Sequence, residues 1–134
     1  MSTTGHDSFN VRRTFSAGGK DFDYYSLEAA EAAGLGDIKS LPISMKVILE
    51  NLLRREDGRV VTVDDVSALI NWRETCHSDH EIAYRPARVL LQDFTGVPAI
   101  VDLASMRDAM VDIGDDPERI NPLSPVDLVI DHSV

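Results

Sequence analysis

The stretch Arg85 to Arg107, RPARVLLQDFTGVPAIVDLASMR, most constrains what this chain can fold into. An apolar run from Ala87 to Leu91 ends on Gln92-Asp93, and Val89, Leu90 and Leu91 form its continuous core. Such a run suits a strand buried on both faces. Gly96 and Pro98 are expected to turn the chain, with Pro98 tolerated in a first helical turn. Ile100, Leu103, Met106, Met110 and Ile113 then keep helical spacing, and Gly114 suits the position just past a helix end. A second apolar run, Asp127 to Ile130, ends on Asp131-His132. Between them lies a stiff loop carrying Pro117, Pro122 and Pro125.

A crossover of this length with a helix in it implies parallel pairing and a right-handed βαβ unit. Both strands then end on the same edge, where open α/β sheets bind ligands. Gln92 and Asp131-His132 are expected to converge there.

The chain before this unit reads differently. Val11, Arg13 and Phe15 alternate, as do Phe22 and Tyr24 beyond Ala17-Gly18-Gly19-Lys20, which predicts a hairpin. Ser26 is expected to cap a short Ala-rich helix that Gly34 and Gly36 end. Met45, Ile48, Leu49, Leu52 and Leu53 make one apolar helical face, with Ser44 as the expected cap and Asp57-Gly58 as the stop. Thr62 is expected to cap a second helix with Asp64 and Asp65 in its first turn and Val66, Leu69 and Ile70 as its stripe. These helices read as packing elements, able to bury their stripes on each other or on the sheet. Trp72 reads as core or semi-core. The reading divides the chain into a hairpin and helical segment, 1–80, and an α/β segment, 81–134.

Composition narrows the function. Thirteen basic against 23 acidic residues give a net charge of −10, which disfavours a general nucleic-acid or anionic-membrane binder. No apolar stretch approaches the ~20 residues of a membrane span, and the N-terminus lacks an apolar signal core. One cysteine allows no internal disulfide. A cytoplasmic location is the default. One βαβ unit leaves strand edges uncovered, so the sequence reads as an N-terminal piece of something larger.

The polar residues at the strand ends are the chemical candidates. His132 can give or take a proton near neutral pH, and Asp131 beside it can set its protonation state. The alternative is a solvated strand-end turn, which the residues alone favour. Gln92 offers two amide donors to a carboxylate, or satisfies loop backbone. The loop Thr95-Gly96-Val97-Pro98 would end at a helix N-terminus, good for anions, but lacks the nucleotide-binding glycine patterns. Cys76, His77, Asp79 and His80 match no closed zinc spacing and read as an exposed helix end. Arg85 and Arg88 read as solvated strand-edge arginines, with attraction of an anionic substrate as the other use.

The run Ile82-Ala83-Tyr84-Arg85-Pro86-Ala87-Arg88-Val89-Leu90, followed by Gln92-Asp93-Phe94-Thr95-Gly96-Val97-Pro98-Ala99, resembles the start of an aconitase, closest to the bacterial aconitase A and iron-regulatory-protein branch. Val101-Asp102-Leu103, Met106-Arg107-Asp108-Ala109, Asn121-Pro122 and Asp127 through Ser133 continue the match. A weaker likeness reaches back through Leu41-Pro42 and Asn51-Leu52-Leu53-Arg54 to Tyr24-Tyr25-Ser26-Leu27.

The resemblance implies that this segment begins the first three-layer α/β domain of a longer hydro-lyase. That enzyme carries a [4Fe-4S] cluster and interconverts citrate and isocitrate through cis-aconitate. It also implies that Gln92 hydrogen-bonds the tricarboxylate and that Asp131 and His132 are catalytic, His132 being linked to proton transfer at the departing hydroxyl. The alternatives are a 2-methylcitrate-pathway dehydratase of the same superfamily and an RNA-binding regulator formed by the cluster-free protein. The motif from Gln92 to Val97 favours aconitase over the dehydratase. A lone thiolate, Cys76, cannot hold a cluster that needs three or more. The 134 residues alone are therefore expected to bind no metal and to lack turnover, with the remaining domains of the longer chain as partners.

Overall fold

A computed structural model describes residues 5–131. The chain divides into two compact units, Met1–Arg85 and Pro86–Val134.

In the first unit, β1 (Arg12–Ala17) and β2 (Lys20–Tyr25) form an antiparallel hairpin with Ala17 opposite Lys20. Gly18 and Gly19 both take positive φ, 58° and 74°, as a two-residue turn matching the strand twist requires. Phe15 stacks on Phe22 at 5.5 Å between ring centroids. The hairpin is mostly exposed, but its last residue, Tyr25, is buried, with the Arg54 guanidinium 5.0 Å above its ring. Ser26 caps α1 (Leu27–Ala30) by accepting from the Ala29 amide at 3.1 Å. The chain then leaves the helix through Gly34 and Gly36, at φ 92° and 99°.

Two longer helices supply most of the core. In α2 (Ile43–Arg55), Leu49, Leu52 and Leu53 are buried; in α3 (Val63–Thr75), Val66 and Leu69 are. These stripes pack on each other and on Val11, Ile38, Leu41 and Val61. Burial of each large aliphatic side chain contributes about 1.5–3 kcal/mol. Trp72 packs half-buried against the same cluster. The expected cap of α2 is corrected: Ser44 lies inside the helix, and Pro42 holds the cap position with no side-chain bond. The Leu41-Pro42 pair starts the helix by geometry instead, since Pro42 is extended and its carbonyl already accepts from the Lys46 amide at 3.0 Å. Thr62 caps α3 in a reciprocal box with Asp65: the Thr62 amide donates to Asp65 Oδ2 at 2.7 Å and the Asp65 amide to Thr62 Oγ1 at 3.3 Å.

The segment after α3 carries no regular structure, and side chains fasten it. Asn51 of α2 reads both backbone groups of Arg85, Nδ2 donating to its carbonyl at 2.7 Å and Oδ1 accepting from its amide at 3.1 Å. His80 Nε2 lies 2.6 Å from Asp65 Oδ1. Ile82 and Ala83 pack on the helical core.

The second unit is a βαβ motif. Strands β3 (Val89–Gln92) and β4 (Val126–Val129) pair in parallel with Val89 opposite Val126 and Gln92 opposite Val129. Helix α4 (Asp93–Asp112) crosses between them. It ends in a Schellman arrangement: Gly114, at φ 78°, donates to the Val111 carbonyl at 2.9 Å, and the Asp115 amide to the Met110 carbonyl at 2.9 Å. Arg107 ties the proline loop to α4, donating to the Ile120 carbonyl at 3.0 Å and to Asn121 Oδ1 at 2.6 Å.

Two expectations fail here. Gly96 and Pro98 do not turn the chain, and Thr95 to Pro98 is not a loop; α4 starts at Asp93 and includes them. Pro98 removes one intrahelical bond, the one to the Phe94 carbonyl, and Phe94 is 86% exposed, so water can replace that donor. Nor is β3 buried on both faces. Leu90 is 68% exposed, because α4 covers one face of this two-stranded sheet and no described element of the unit covers the other. No described helix is long and apolar enough to cross a membrane.

Candidate active site at the carboxyl ends of the parallel strands

Gln92 is both the last residue of β3 and the N-cap of α4, so strand passes to helix with no intervening loop. Its Oε1 accepts from the Phe94 amide at 2.8 Å, satisfying one of the unpaired donors of the first turn. Thr95 Oγ1 donates back to the Gln92 carbonyl at 3.2 Å. This bonding fixes which end of the amide is which. Oε1 is committed to the helix, and Nε2 remains as the end that can donate to a ligand.

Gly96 sets how closely the helix start approaches the strands. It is buried, and a Cβ built there would fall 2.8 Å from Leu128 Cγ and 3.3 Å from Leu91 Cβ. A glycine at this point lets the first turns of α4 lie against both strands, which holds Gln92 and Asp93 beside the end of β4.

The parallel register does the rest. With Gln92 opposite Val129, Asp93 follows β3 by one residue and Asp131 follows β4 by two, and the two come together. The Asp131 amide donates to Asp93 Oδ1 at 3.4 Å, which sets the two carboxyl groups side by side. Desolvation pushes the Asp93 carboxyl up. Its own backbone amide and the two donors of Asp131 outweigh this and hold it below the ordinary carboxylate range. Asp131 moves the opposite way: its bond to Asp93, then desolvation and the charge of Asp93, push it above that range.

The structure thus brings Gln92 and Asp131 to one sheet edge, as expected. His132 lies outside the described residues. Asp93 is the group that sequence reasoning passed over, quoting it only as part of a polar strand terminus. The sequence carries no local signal for it, since the register sets Asp93 level with Ile130 and the contact reaches one residue further, to Asp131.

The other candidates are placed elsewhere. Arg88 pairs with Asp127, near the start of the strands rather than their ends. Arg85 lies 3.9 Å from Asp57. His77 and Asp79 form an exposed pair at 3.3 Å, and His80 is engaged by Asp65.

The model of the aconitase family (aconitate hydratase) matches residues 64–134, a span that includes all but the first residue of α3 and the whole βαβ unit. The chain belongs to the aconitase family. It is 62% identical over 134 residues to aconitate hydratase A of Escherichia coli (strain K12), covering 100% of this chain and 15% of that protein. It is 62% identical over 128 residues to aconitate hydratase A of Pseudomonas aeruginosa, covering 96% of this chain and 14% of the relative. For the Bradyrhizobium diazoefficiens protein of the same name the identity is 60% over 131 residues, covering 98% and 14%. The chain thus spans about one-seventh of the length of the curated relatives it matches.

An iron–sulfur cluster, which membership of the aconitase family implies, does not fit the residues of this chain. Cys76 is exposed and ends α3 in a left-handed conformation, φ 53°. Among the described residues no three His, Cys, Asp or Glu side chains come together as a metal site. One thiolate does not hold a cluster.

Proposed function

We propose that the longer protein containing this chain is an aconitate hydratase, a hydro-lyase interconverting citrate and isocitrate through cis-aconitate. These 134 residues would supply part of its tricarboxylate site and begin its first three-layer α/β domain. The observation that carries the reading is the placement of Gln92 and Asp131 at the same carboxyl edge of a parallel sheet inside a family-matched segment. The relatives named aconitate hydratase A support citrate over a 2-methylcitrate-type substrate.

The roles follow from chemistry. Gln92, its Oε1 held by the helix, donates through Nε2 to a substrate carboxylate without adding charge to a strongly acidic chain. His132 handles the proton at the departing hydroxyl. Asp131 precedes it and stabilises its protonated form. The ligands of the family's [4Fe-4S] cluster would come from outside these 134 residues, and the remaining domains of the longer protein would complete the site. A cytoplasmic location belongs to the same reading, and the free, exposed Cys76 suits a reducing compartment.

Gln92→Ala in the full-length, cluster-loaded enzyme tests the binding role. Loss of a hydrogen bond to a charged group removes about 1.5–3 kcal/mol. Because that contact exists before the reaction, KM should rise with a smaller fall in kcat. An unchanged KM for citrate would remove Gln92 from the site.

A further inference from the structure

We infer that Asp93 is a positioning residue for the proposed reaction: it sits at the start of α4, accepts from the Asp131 amide, and thereby sets the position of Asp131. The inference rests on the assignment of Asp131 and His132 proposed above and goes one residue beyond it.

Three observations lead there independently. The first is placement. Asp93 is the first residue of a 20-residue helix, and its carboxylate meets the partial positive charge of that helix start. A charge stabilised in this way stays in place while a neighbour exchanges a proton. The second is contact. Asp93 Oδ1 reaches the Asp131 amide at 3.4 Å, so it holds the backbone of the strand end. The third is rigidity behind the contact. Gln92 caps the same helix at 2.8 Å, and Gly96 lets the same turns press on Leu91 and Leu128. Asp93 is therefore anchored by the helix, whereas Asp131 lies beyond the last paired residue of β4. In this pair Asp93 is the fixed member and Asp131 the one whose position is set.

Chemistry gives the pair a direction. Asp93 repels a second negative charge at Asp131, so Asp131 ionises later than a lone carboxyl would, while Asp93 is held ionised. Among the described residues the charged group facing Asp131 is Asp93; Arg88 and Asp127 pair with each other near the other end of the strands. If turnover needs ionised Asp131 to support a protonated His132, the acid limb of the kcat profile reports Asp131. Removing the charge of Asp93 then moves that limb to lower pH.

The experiment uses the full-length, cluster-loaded enzyme, with cluster content checked by absorbance and citrate as substrate. Asp93→Ala should lower kcat about 10–100-fold, the scale of a misplaced catalytic group, with KM within threefold of wild type. Asp93→Asn keeps an oxygen for the Asp131 amide. It should recover most of kcat while its acid limb shifts to lower pH. The double variant Asp93→Ala/Asp131→Asn should be no slower than Asp131→Asn alone, because Asp93 acts through Asp131. Wild-type kcat in Asp93→Ala, an unmoved acid limb in Asp93→Asn, or additive losses in the double variant would each overturn the inference. Should Asp93→Ala fail to fold, the Asp93→Asn profile decides the matter. Asp131→Asn separates the two readings. A near-wild-type Asp131→Asn enzyme refutes the site itself, whereas a slow one beside unaffected Asp93 variants refutes this inference alone.

Discussion

Asn51→Ala should loosen the segment that leads from the helical unit into β3. The wild-type amide closes both polar groups of the Arg85 backbone, at 2.7 and 3.1 Å, as a neighbouring strand would. Each such bond contributes a net ~0.5–1.5 kcal/mol, so losing both should cost about 1–3 kcal/mol. In urea that corresponds to a fall in midpoint on the order of 1 M. The assay is equilibrium unfolding of the chain followed by its single tryptophan, Trp72, which packs on the same core. Asn51→Asp sharpens the test. Its carboxylate still accepts from the Arg85 amide but sets a second oxygen against the Arg85 carbonyl. It should be at least as damaging as alanine at neutral pH and recover relative to wild type as pH falls and the carboxyl protonates. An alanine variant within about 0.3 kcal/mol of wild type, inside the range of ordinary surface substitutions, would refute the reasoning. So would an aspartate variant indifferent to pH.

Two further changes probe other parts of the structure. Asp57 accepts from the amides of Val60, Arg59 and Val61, which hold its carboxyl down at about 2 against an ordinary 3.8. Its contribution is therefore present above the unfolded value of 3.8 and is lost as pH falls through about 2. Asp57→Asn should flatten the stability curve across that window, and an unchanged acid leg would contradict the assignment. Gly96→Val should push α4 off Leu128 and Leu91, an overpacking cost of about 1–3 kcal/mol. Hydrogen exchange should show this as lost protection of the α4 amides, and unaltered protection would mean the helix does not need that close approach.

Much of this was legible in the sequence because each signal was local. Gly18-Gly19 specified the hairpin turn, Thr62 and Asp65 the start of α3, and Gly114 the end of α4. The leucine spacing along α2 named its buried face correctly. The parallel pairing followed from the crossover length and the two apolar runs.

What failed depended on contacts the one-dimensional pattern does not carry. Gly96 and Pro98 look like turn residues, yet Gly96 is small because Leu128, 32 residues later, presses on it. Pro98 survives inside the helix because the carbonyl it orphans belongs to exposed Phe94. Ser44 has cap chemistry, but Pro42 reaches the helix first. The apolar run of β3 reads as doubly buried, and the degree of cover is decided by elements outside the run. At the site, Gln92 and Asp131 stood out by their position at strand ends. Asp93 did not, because its contact with the Asp131 amide appears only in the folded strand ends.

The central claim is that the strand ends carry chemistry as well as structure, and His132 tests it most directly. His132→Gln should be made in the full-length enzyme and assayed with citrate at verified full cluster occupancy. Assistance to a proton at the departing hydroxyl acts mainly in the transition state and is worth about 10²–10⁴-fold. The expected result is a fall in kcat on that scale with KM near wild type. A near-wild-type kcat would contradict the account and return Asp131-His132 to a strand-end turn.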